Sequence, residues 1–210
     1  MLPFSSEQFF ALFGHYNLAI WPAQLVAYAL AVFLVWSVVT RRTWNWRATA
    51  FILGAFWLWN GLVYHLTYFT GINPAAYGFA ALFVAQGIAF IGSGIRAPDA
   101  TITIQCDACS IIAATLILYA MVVYSIIGTL VGHGWPRAPM FGIAPCPTTI
   151  FTLAVLMLAR QSSSFWLAAI PIVWALIGAT AAVLLGVSED LGLVASVAAL
   201  AACRWKGRKI

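Results

Sequence analysis

Seven long apolar stretches follow one another along the chain, and a short group of polar residues or turn formers separates each from the next. A helix needs about 20 apolar residues to cross the ~30 Å hydrocarbon core of a bilayer, and most of the stretches approach this length. The pattern therefore predicts an all-α, polytopic membrane helix bundle with seven transmembrane helices in one integral-membrane domain, residues 1–210. The predicted spans are 15–39, 48–69, 74–95, 110–132, 143–160, 164–186 and 189–204.

The two ends of the pattern depart from a simple span. Residues 1–14 contain Ser5 and Gln8 at the spacing of a capping box and lack the basic start of a signal peptide. With their several phenylalanines, they predict a short interfacial helix that leads into the first span. The last stretch begins with two carboxylates and is rich in small residues, so a bundle of six spans is the alternative. Residues 205–210 form a basic tail.

Composition favours a membrane location. Of the 210 residues, 64% are hydrophobic and only 7% are charged, whereas soluble domains carry about 25% charged residues. So few charged side chains cannot cover a water-facing surface, and the lipid bilayer is the expected partner. The net charge of +5 does not indicate nucleic-acid binding, because the basic residues are few and flank the apolar stretches. A homo-oligomer is compatible with the sequence.

The basic residues predict an orientation. If the N-terminus lies outside, nine of the ten fall on the cytoplasmic side and only Arg137 lies outside. Because cytoplasmic loops carry the excess of Lys and Arg, the N-terminus is predicted outside and the C-terminus inside. The nine residues are Arg41, Arg42, Arg47, Arg96, Arg160, Arg204, Lys206, Arg208 and Lys209.

This orientation gathers the three histidines on the outer side. Imidazole is the commonest metal ligand and titrates near neutral pH, so His15, His65 and His133 are candidate ligands of a divalent metal. A haem site and a pH-sensing site are alternatives. The simpler alternative is that each ring hydrogen-bonds water or a loop carbonyl, since no two of them have the i, i+4 spacing of a local ligand pair. No cofactor is identified by a motif.

Polar side chains in or near the spans predict a substrate-binding vestibule. Such groups are costly in lipid and are therefore expected to face the protein interior. The alternative is that they form hydrogen bonds between helices. The predicted vestibule residues are His15, Gln24, Asn60, Tyr64, His65, Asn73, Gln86, Cys146, Thr148, Glu189 and Asp190.

Prolines suggest where helices break. Pro22 lies inside the first predicted span, and Pro145 and Pro147 bracket Cys146 in the fifth. A proline inside a helix removes a backbone donor and kinks it, and the freed carbonyls can bind an ion, as in the broken helices of transporters. Proline in a first helical turn is equally a good helix starter, so both interpretations stay open for the fifth span.

The cytoplasmic side carries a Cys-x-x-Cys pair, Cys106 and Cys109. Two thiols at this spacing can hold a soft metal or form a redox pair, and Cys203 could add a third sulfur. On the cytoplasmic side these cysteines are expected to be reduced, so no disulfide framework is predicted.

The sequence contains no known catalytic motif. The middles of the first six spans contain no Asp, Glu, Lys or Arg, which disfavours a proton antiporter. An enzyme is therefore not the favoured interpretation. The leading hypothesis is a transporter or channel for a small solute or ion, with an outward-facing polar vestibule. The alternatives are a metal- or haem-binding enzyme or redox protein, and a non-transporting sensor or assembly partner.

Four segments together resemble the signatures of a bacterial multi-pass membrane family of unknown function. The resemblance covers nearly the whole chain. It implies a protein of the bacterial inner membrane and no activity. In that membrane, the orientation predicted from the basic residues places the N-terminus in the periplasm and the C-terminus in the cytoplasm. The segments are 59–65 (WNGLVYH), 72–76 (INPAA), 141–152 (FGIAPCPTTIFT) and 185–191 (LGVSEDL).

Overall fold

The computed structural model describes residues 2–41, 43–97, 101–103, 107–159 and 164–207. Almost all of these residues are helical, which confirms the predicted all-α class. The α-helices are α1 (Ser6–Ala19), α2 (Ala23–Arg41), α3 (Trp46–Trp59), α4 (Ala76–Arg96), α5 (Ala108–Leu118), α6 (Tyr124–Leu130), α7 (Pro145–Leu158), α8 (Ser164–Leu167), α9 (Ala169–Leu185) and α10 (Leu191–Gly207). Two π-helical segments, Asn60–Tyr68 and Tyr119–Val123, extend α3 and join α5 to α6, and 3-10 turns cover Phe69–Gly71 and Ser188–Asp190.

Three continuous helical segments among the described residues are long and apolar enough to cross a membrane. They are Trp46–Gly71, Ala76–Arg96 and Ala108–Leu130, with 26, 21 and 23 residues. A fourth span is counted if α1 and the part of α2 up to Ser37, which meet at an angle of 84°, act together. The helices α7 and α9 are apolar but shorter.

The N-terminal boundary differs from the prediction. The capping box is confirmed, because the Ser5 hydroxyl accepts a hydrogen bond from the Gln8 backbone N–H and the Gln8 side chain accepts one from the Ser5 N–H. However, α1 continues to Ala19, and the chain turns sharply before α2 begins at Ala23. Pro22 lies at this break, where its missing N–H and its ring prevent one continuous helix. The stretch predicted as one span, 15–39, therefore consists of the end of α1, a sharp bend and most of α2.

The helices α3 and α4 approach closely because small residues recur every seven positions along their contact. A Cβ added at Gly87 of α4 would lie 3.0 Å from the Gly54 carbonyl oxygen of α3. At Gly61, in the π-helical extension, it would lie 3.1 Å from the Ala80 carbonyl oxygen. Small residues at such positions let two backbones pack directly against each other, as in membrane helix pairs.

The central element of the bundle is α7. Every side chain from Pro147 to Leu158 is buried, on all faces of the helix. It packs among α3, α5, α9 and α10. A helix that is apolar all round is a core helix, so α7 is surrounded by protein. Pro145 occupies its first turn, which supports the interpretation of this proline as a helix starter and not as a break inside a span.

One end of the bundle is held by a short β-ribbon and a disulfide. The strands β1 (Thr43–Asn45) and β2 (Thr101–Thr103) pair antiparallel, with Thr43 opposite Thr103. Beside them, Cys109 at the start of α5 bonds to Cys203 near the end of α10, with their Cα atoms 5.8 Å apart. The expectation that these cysteines are reduced and form no disulfide is therefore wrong for Cys109 and Cys203. The predicted thiol pair of Cys106 with Cys109 does not form a site of its own, because Cys109 bonds to Cys203 and Cys106 lies outside the described residues.

Candidate functional site

A cavity of about 310 Å³ lies at the opposite end of α7 from the disulfide. Its walls come from α1, the π-helical extension of α3, the start of α7 and the C-terminal half of α9. The turn Ser188–Asp190 contributes one carboxylate to it. Elements distant in sequence thus enclose one space, and their side chains define what it can bind.

Aromatic rings in mutual contact form most of one wall. The rings of Phe13 and Tyr64 stack with centroids 5.1 Å apart, and those of Tyr64 and Phe69 stack at 5.5 Å. Farther along the wall, Phe79 packs edge to face on Trp174 at 5.2 Å. These contacts make the wall apolar and hold its rings in fixed orientations.

Asp190 is the carboxylate of the cavity. It is only 4% exposed. Its carboxylate accepts hydrogen bonds from the Tyr124 hydroxyl and the Cys146 thiol. The local sequence explains its position, because α9 ends at Gly186, whose φ of +73° lies in the left-handed region that favours glycine. The chain then reverses and presents Asp190 to the start of α7.

The charge of Asp190 depends on pH near neutrality. The residue lies in the turn between α9 and α10, outside the helices. The pKa of its carboxyl group is raised to about 7, mainly by burial and to a smaller extent by the nearby Glu189, although the hydrogen bonds from Tyr124 and Cys146 act in the opposite direction. A carboxyl group with such a pKa can bind as an anion or as a neutral acid under physiological conditions.

The neighbouring Glu189 faces a different partner. Its Oε1 atom lies 2.9 Å from Nε2 of His133, which belongs to the loop between α6 and α7. The imidazole ring also stacks on Phe10 of α1, with centroids 4.0 Å apart. The Tyr119 hydroxyl donates a hydrogen bond to the backbone carbonyl of Glu189 over 2.7 Å. One turn therefore holds two buried carboxylates with separate surroundings.

Four of the predicted vestibule residues line the cavity, namely Tyr64, Asn73, Cys146 and Asp190. Four others do not line it and use their side chains in hydrogen bonds to backbone carbonyls. Such bonds are the alternative that the sequence left open. The pairs are Gln24 with Asn17 at 2.8 Å, Asn60 with Gly142 at 3.2 Å, Gln86 with Leu167 at 2.8 Å and Thr148 with Ala144 at 2.7 Å.

The three histidines do not come together. His15 is exposed beside Tyr68, and His133 pairs with Glu189. His65 is buried among aromatic rings, the nearest being that of Phe83 at 4.6 Å. Within the described ranges, no three His, Cys, Asp or Glu side chains form a group that could hold a metal ion. The structure therefore does not assemble the predicted metal site.

The sequence analysis missed several residues of the cavity. Tyr124 and Trp174 lie inside long apolar stretches, and Phe9 and Phe13 belong to the helix that was predicted to be interfacial. Tyrosine and tryptophan in a membrane protein are usually taken as anchors at the lipid headgroups. A position far from both ends of an apolar stretch distinguishes a residue of the protein interior from such an anchor. Trp174 of α9 has a position of this kind.

The fold and the site define a helical protein with candidate membrane-spanning helices and an internal, mainly apolar cavity. Over residues 6–210 the chain matches the model of a family described as a family of unknown function, DUF6064. The chain belongs to this family. No curated protein and no solved structure matches it.

Proposed function

We propose that this protein is an integral membrane protein that binds an amphipathic small solute in its cavity and transports it. The observation that carries the proposal is the cavity itself. Its volume of about 310 Å³ lies at the lower end of the range of roughly 300–1,000 Å³ for small-molecule sites. Such sites combine an apolar lining with a few fixed polar groups, as found here in the aromatic wall and Asp190.

The proposal narrows the solute class expected from the sequence. A polar vestibule suits a hydrated ion or a small polar solute, but this cavity offers few polar side chains. A small inorganic ion would lose its hydration without enough ligands to replace it. A molecule with an apolar body and one polar group matches both parts of the lining. Metal- or haem-dependent enzymatic activity lacks a ligand group among the described residues and is the weaker proposal.

We further propose seven spans in the bacterial inner membrane, with the N-terminus periplasmic and the C-terminus cytoplasmic. Arg41, Arg96 and Arg204 lie at or near the C-terminal ends of α2, α4 and α10, and Arg47 lies at the start of α3. The strand β1 between α2 and α3 pairs with the strand β2 between α4 and α5. The bias of Lys and Arg toward the cytoplasm supports this orientation. The cavity then faces the periplasm.

Fusions to the C-terminus test the orientation. A fluorescent protein that matures only in the cytoplasm is expected to fluoresce there, and alkaline phosphatase at the same position is expected to be inactive. The physical reason is that loops and ends rich in Lys and Arg stay on the cytoplasmic side of the membrane. Alkaline phosphatase fused ahead of residue 1 is expected to be active, because the N-terminus is proposed to lie in the periplasm. Active phosphatase at the C-terminus would contradict the proposed orientation.

Filling the cavity tests the binding function. Ala181 of α9 lines the cavity, and Ala181→Trp places an indole in it. For 2-phenylethanol and phenethylammonium as probes, measured with protein in lipid nanodiscs, we expect at least about tenfold weaker binding than to the wild type. The reason is loss of the space that buries the phenyl ring.

The matched control is Val183→Trp, two residues away on the same helix. Val183 is 76% exposed, so its replacement should leave probe binding unchanged. Equal affinities of all three proteins would show that the probes do not occupy the cavity. Flux of a bound probe across sealed proteoliposomes then separates a transporter from a non-transporting sensor.

A further inference from the structure

We propose that the cavity selects an organic cation, a compound with a protonated or quaternary amine on an apolar body, and that Asp190 is its counter-charge. This inference rests on the proposed function, because the cavity must first bind a small molecule. It goes beyond it by naming the head group. Two features of the cavity support this head group: the charges around Asp190 and the aromatic residues of the lining.

Asp190 has no cationic partner among the residues that the structure describes. Glu189 pairs with His133 and Glu7 pairs with Arg137, and no basic side chain of the described residues pairs with Asp190. Its two side-chain donors, the Tyr124 hydroxyl and the Cys146 thiol, are neutral. A carboxylate has about four acceptor sites, so two donors leave capacity for a ligand. A buried carboxylate is most stable when a cation accompanies it.

The aromatic wall favours the same charge. The faces of aromatic rings carry negative potential and attract ammonium groups, which is the basis of aromatic cages for amines. Phe13, Tyr64 and Phe69 form a continuous stack beside the cavity, and Trp174 faces it from α9. An anionic head group would be repelled by the ionised Asp190. A neutral head group would gain only a hydrogen bond.

The apolar body and the head group have separate places in the cavity. Ile177 and Ala181 of α9 and Phe9 of α1 provide apolar surface. Asp190 and Cys146 lie where the start of α7 meets the turn before α10. A ligand with its amine at one end of an apolar body can therefore meet the carboxylate while its body contacts the apolar residues.

A series of probes that share a phenyl ring tests the charge preference. The probes are phenethylammonium, 2-phenylethanol and 3-phenylpropanoate, titrated at pH 8 into the full-length protein in lipid nanodiscs. The wild type is expected to bind the ammonium at least about tenfold more tightly than the alcohol and the carboxylate weakest of all. Asp190→Asn should bring the ammonium and the alcohol within about twofold of each other. Glu7→Gln, which removes an exposed carboxylate, should keep the wild-type preference.

The pH dependence provides a second test that needs no variant. The titratable groups that act on the pKa of Asp190 are Tyr124, Cys146 and Glu189, and Tyr64 and Tyr119 also lie close enough to interact with its charge. Because the pKa of Asp190 is raised to about 7, the carboxylate is ionised at pH 8 and protonated at pH 5.5. An alkylamine stays protonated over this range, as lysine does with its pKa of about 10.4. Affinity for phenethylammonium should therefore fall at least about fivefold from pH 8 to pH 5.5, while that for 2-phenylethanol stays constant.

Several outcomes would overturn the inference. Equal affinity for ammonium and alcohol in the wild type, preference for the carboxylate, or an ammonium preference that survives in Asp190→Asn would each do so. If Asp190→Asn does not fold, the pH test decides instead. A wild-type affinity for phenethylammonium that does not change between pH 8 and pH 5.5 would also overturn the inference. Binding of all three probes without charge preference leaves the proposed function standing. Failure of all three to bind overturns the proposed function, and this inference with it.

Discussion

Replacing Gly87 with alanine is expected to lower the free energy of unfolding by about 1–3 kcal/mol, the usual cost of overpacking a core. A Cβ at this position would lie 2.7 Å from Cγ of Leu58 and 3.0 Å from the carbonyl oxygen of Gly54. The leucine can change rotamer, but the carbonyl belongs to the backbone of α3. The two helices must therefore separate along their contact. Gly87→Val should cost more, because its two methyl groups extend farther.

Gly92 provides the control on the same helix. No atom lies within 4 Å of a Cβ added there, so Gly92→Ala should be neutral or stabilising by up to about 1 kcal/mol through helix propensity. Thermal unfolding of the purified proteins in one detergent measures both effects. Similar unfolding temperatures for the two alanine variants would show that α3 and α4 do not pack as described.

Removing His133 is expected to destabilise the protein by about 3–5 kcal/mol. Its partner Glu189 has no exposed side-chain surface, so His133→Ala leaves a buried carboxyl group without its hydrogen-bond partner. The same substitution removes the ring that stacks on Phe10 and so loosens α1 from the loop before α7. Equilibrium unfolding at neutral pH measures the loss.

An exposed ion pair made by the same loop provides the control. Glu7 of α1 and Arg137 of the loop are 2.6 Å apart, but their side chains are 78% and 41% exposed. Glu7→Ala should therefore cost at most about 1 kcal/mol. The double variant His133→Ala, Glu189→Gln should recover part of the stability, because a neutral amide costs less to bury than an unpaired carboxylate. Equal losses for His133→Ala and Glu7→Ala would contradict the buried pair.

Local chemistry accounts for the helices that the sequence predicted. The capping box of Ser5 and Gln8 acts within three residues, and it is present at the start of α1. Pro145 occupies the first turn of α7, because a missing N–H costs nothing there. The apolar stretches at 74–95 and 164–186 contain α4 and α9. These features depend on neighbours in the chain and can be read without the tertiary structure.

Side-chain roles could not be read in this way. Asn60 and Gln86 are as polar as the residues of the cavity, yet their amides donate to carbonyls of distant segments. Cys109 meets a cysteine 94 positions away and not the one three positions before it. Each outcome depends on which helices become neighbours, and hydropathy contains no information about neighbours.

The sequence by itself determined that the chain is helical, that its helices are apolar and where most of them begin and end. These properties follow from hydrophobic content and from interactions within one or two helical turns. Only the tertiary structure decided that α7 is enclosed by protein and that Asp190 meets Tyr124 and Cys146 beside an aromatic wall. A lipid-facing helix and a protein-facing helix are equally apolar, so packing alone distinguishes them and creates the site.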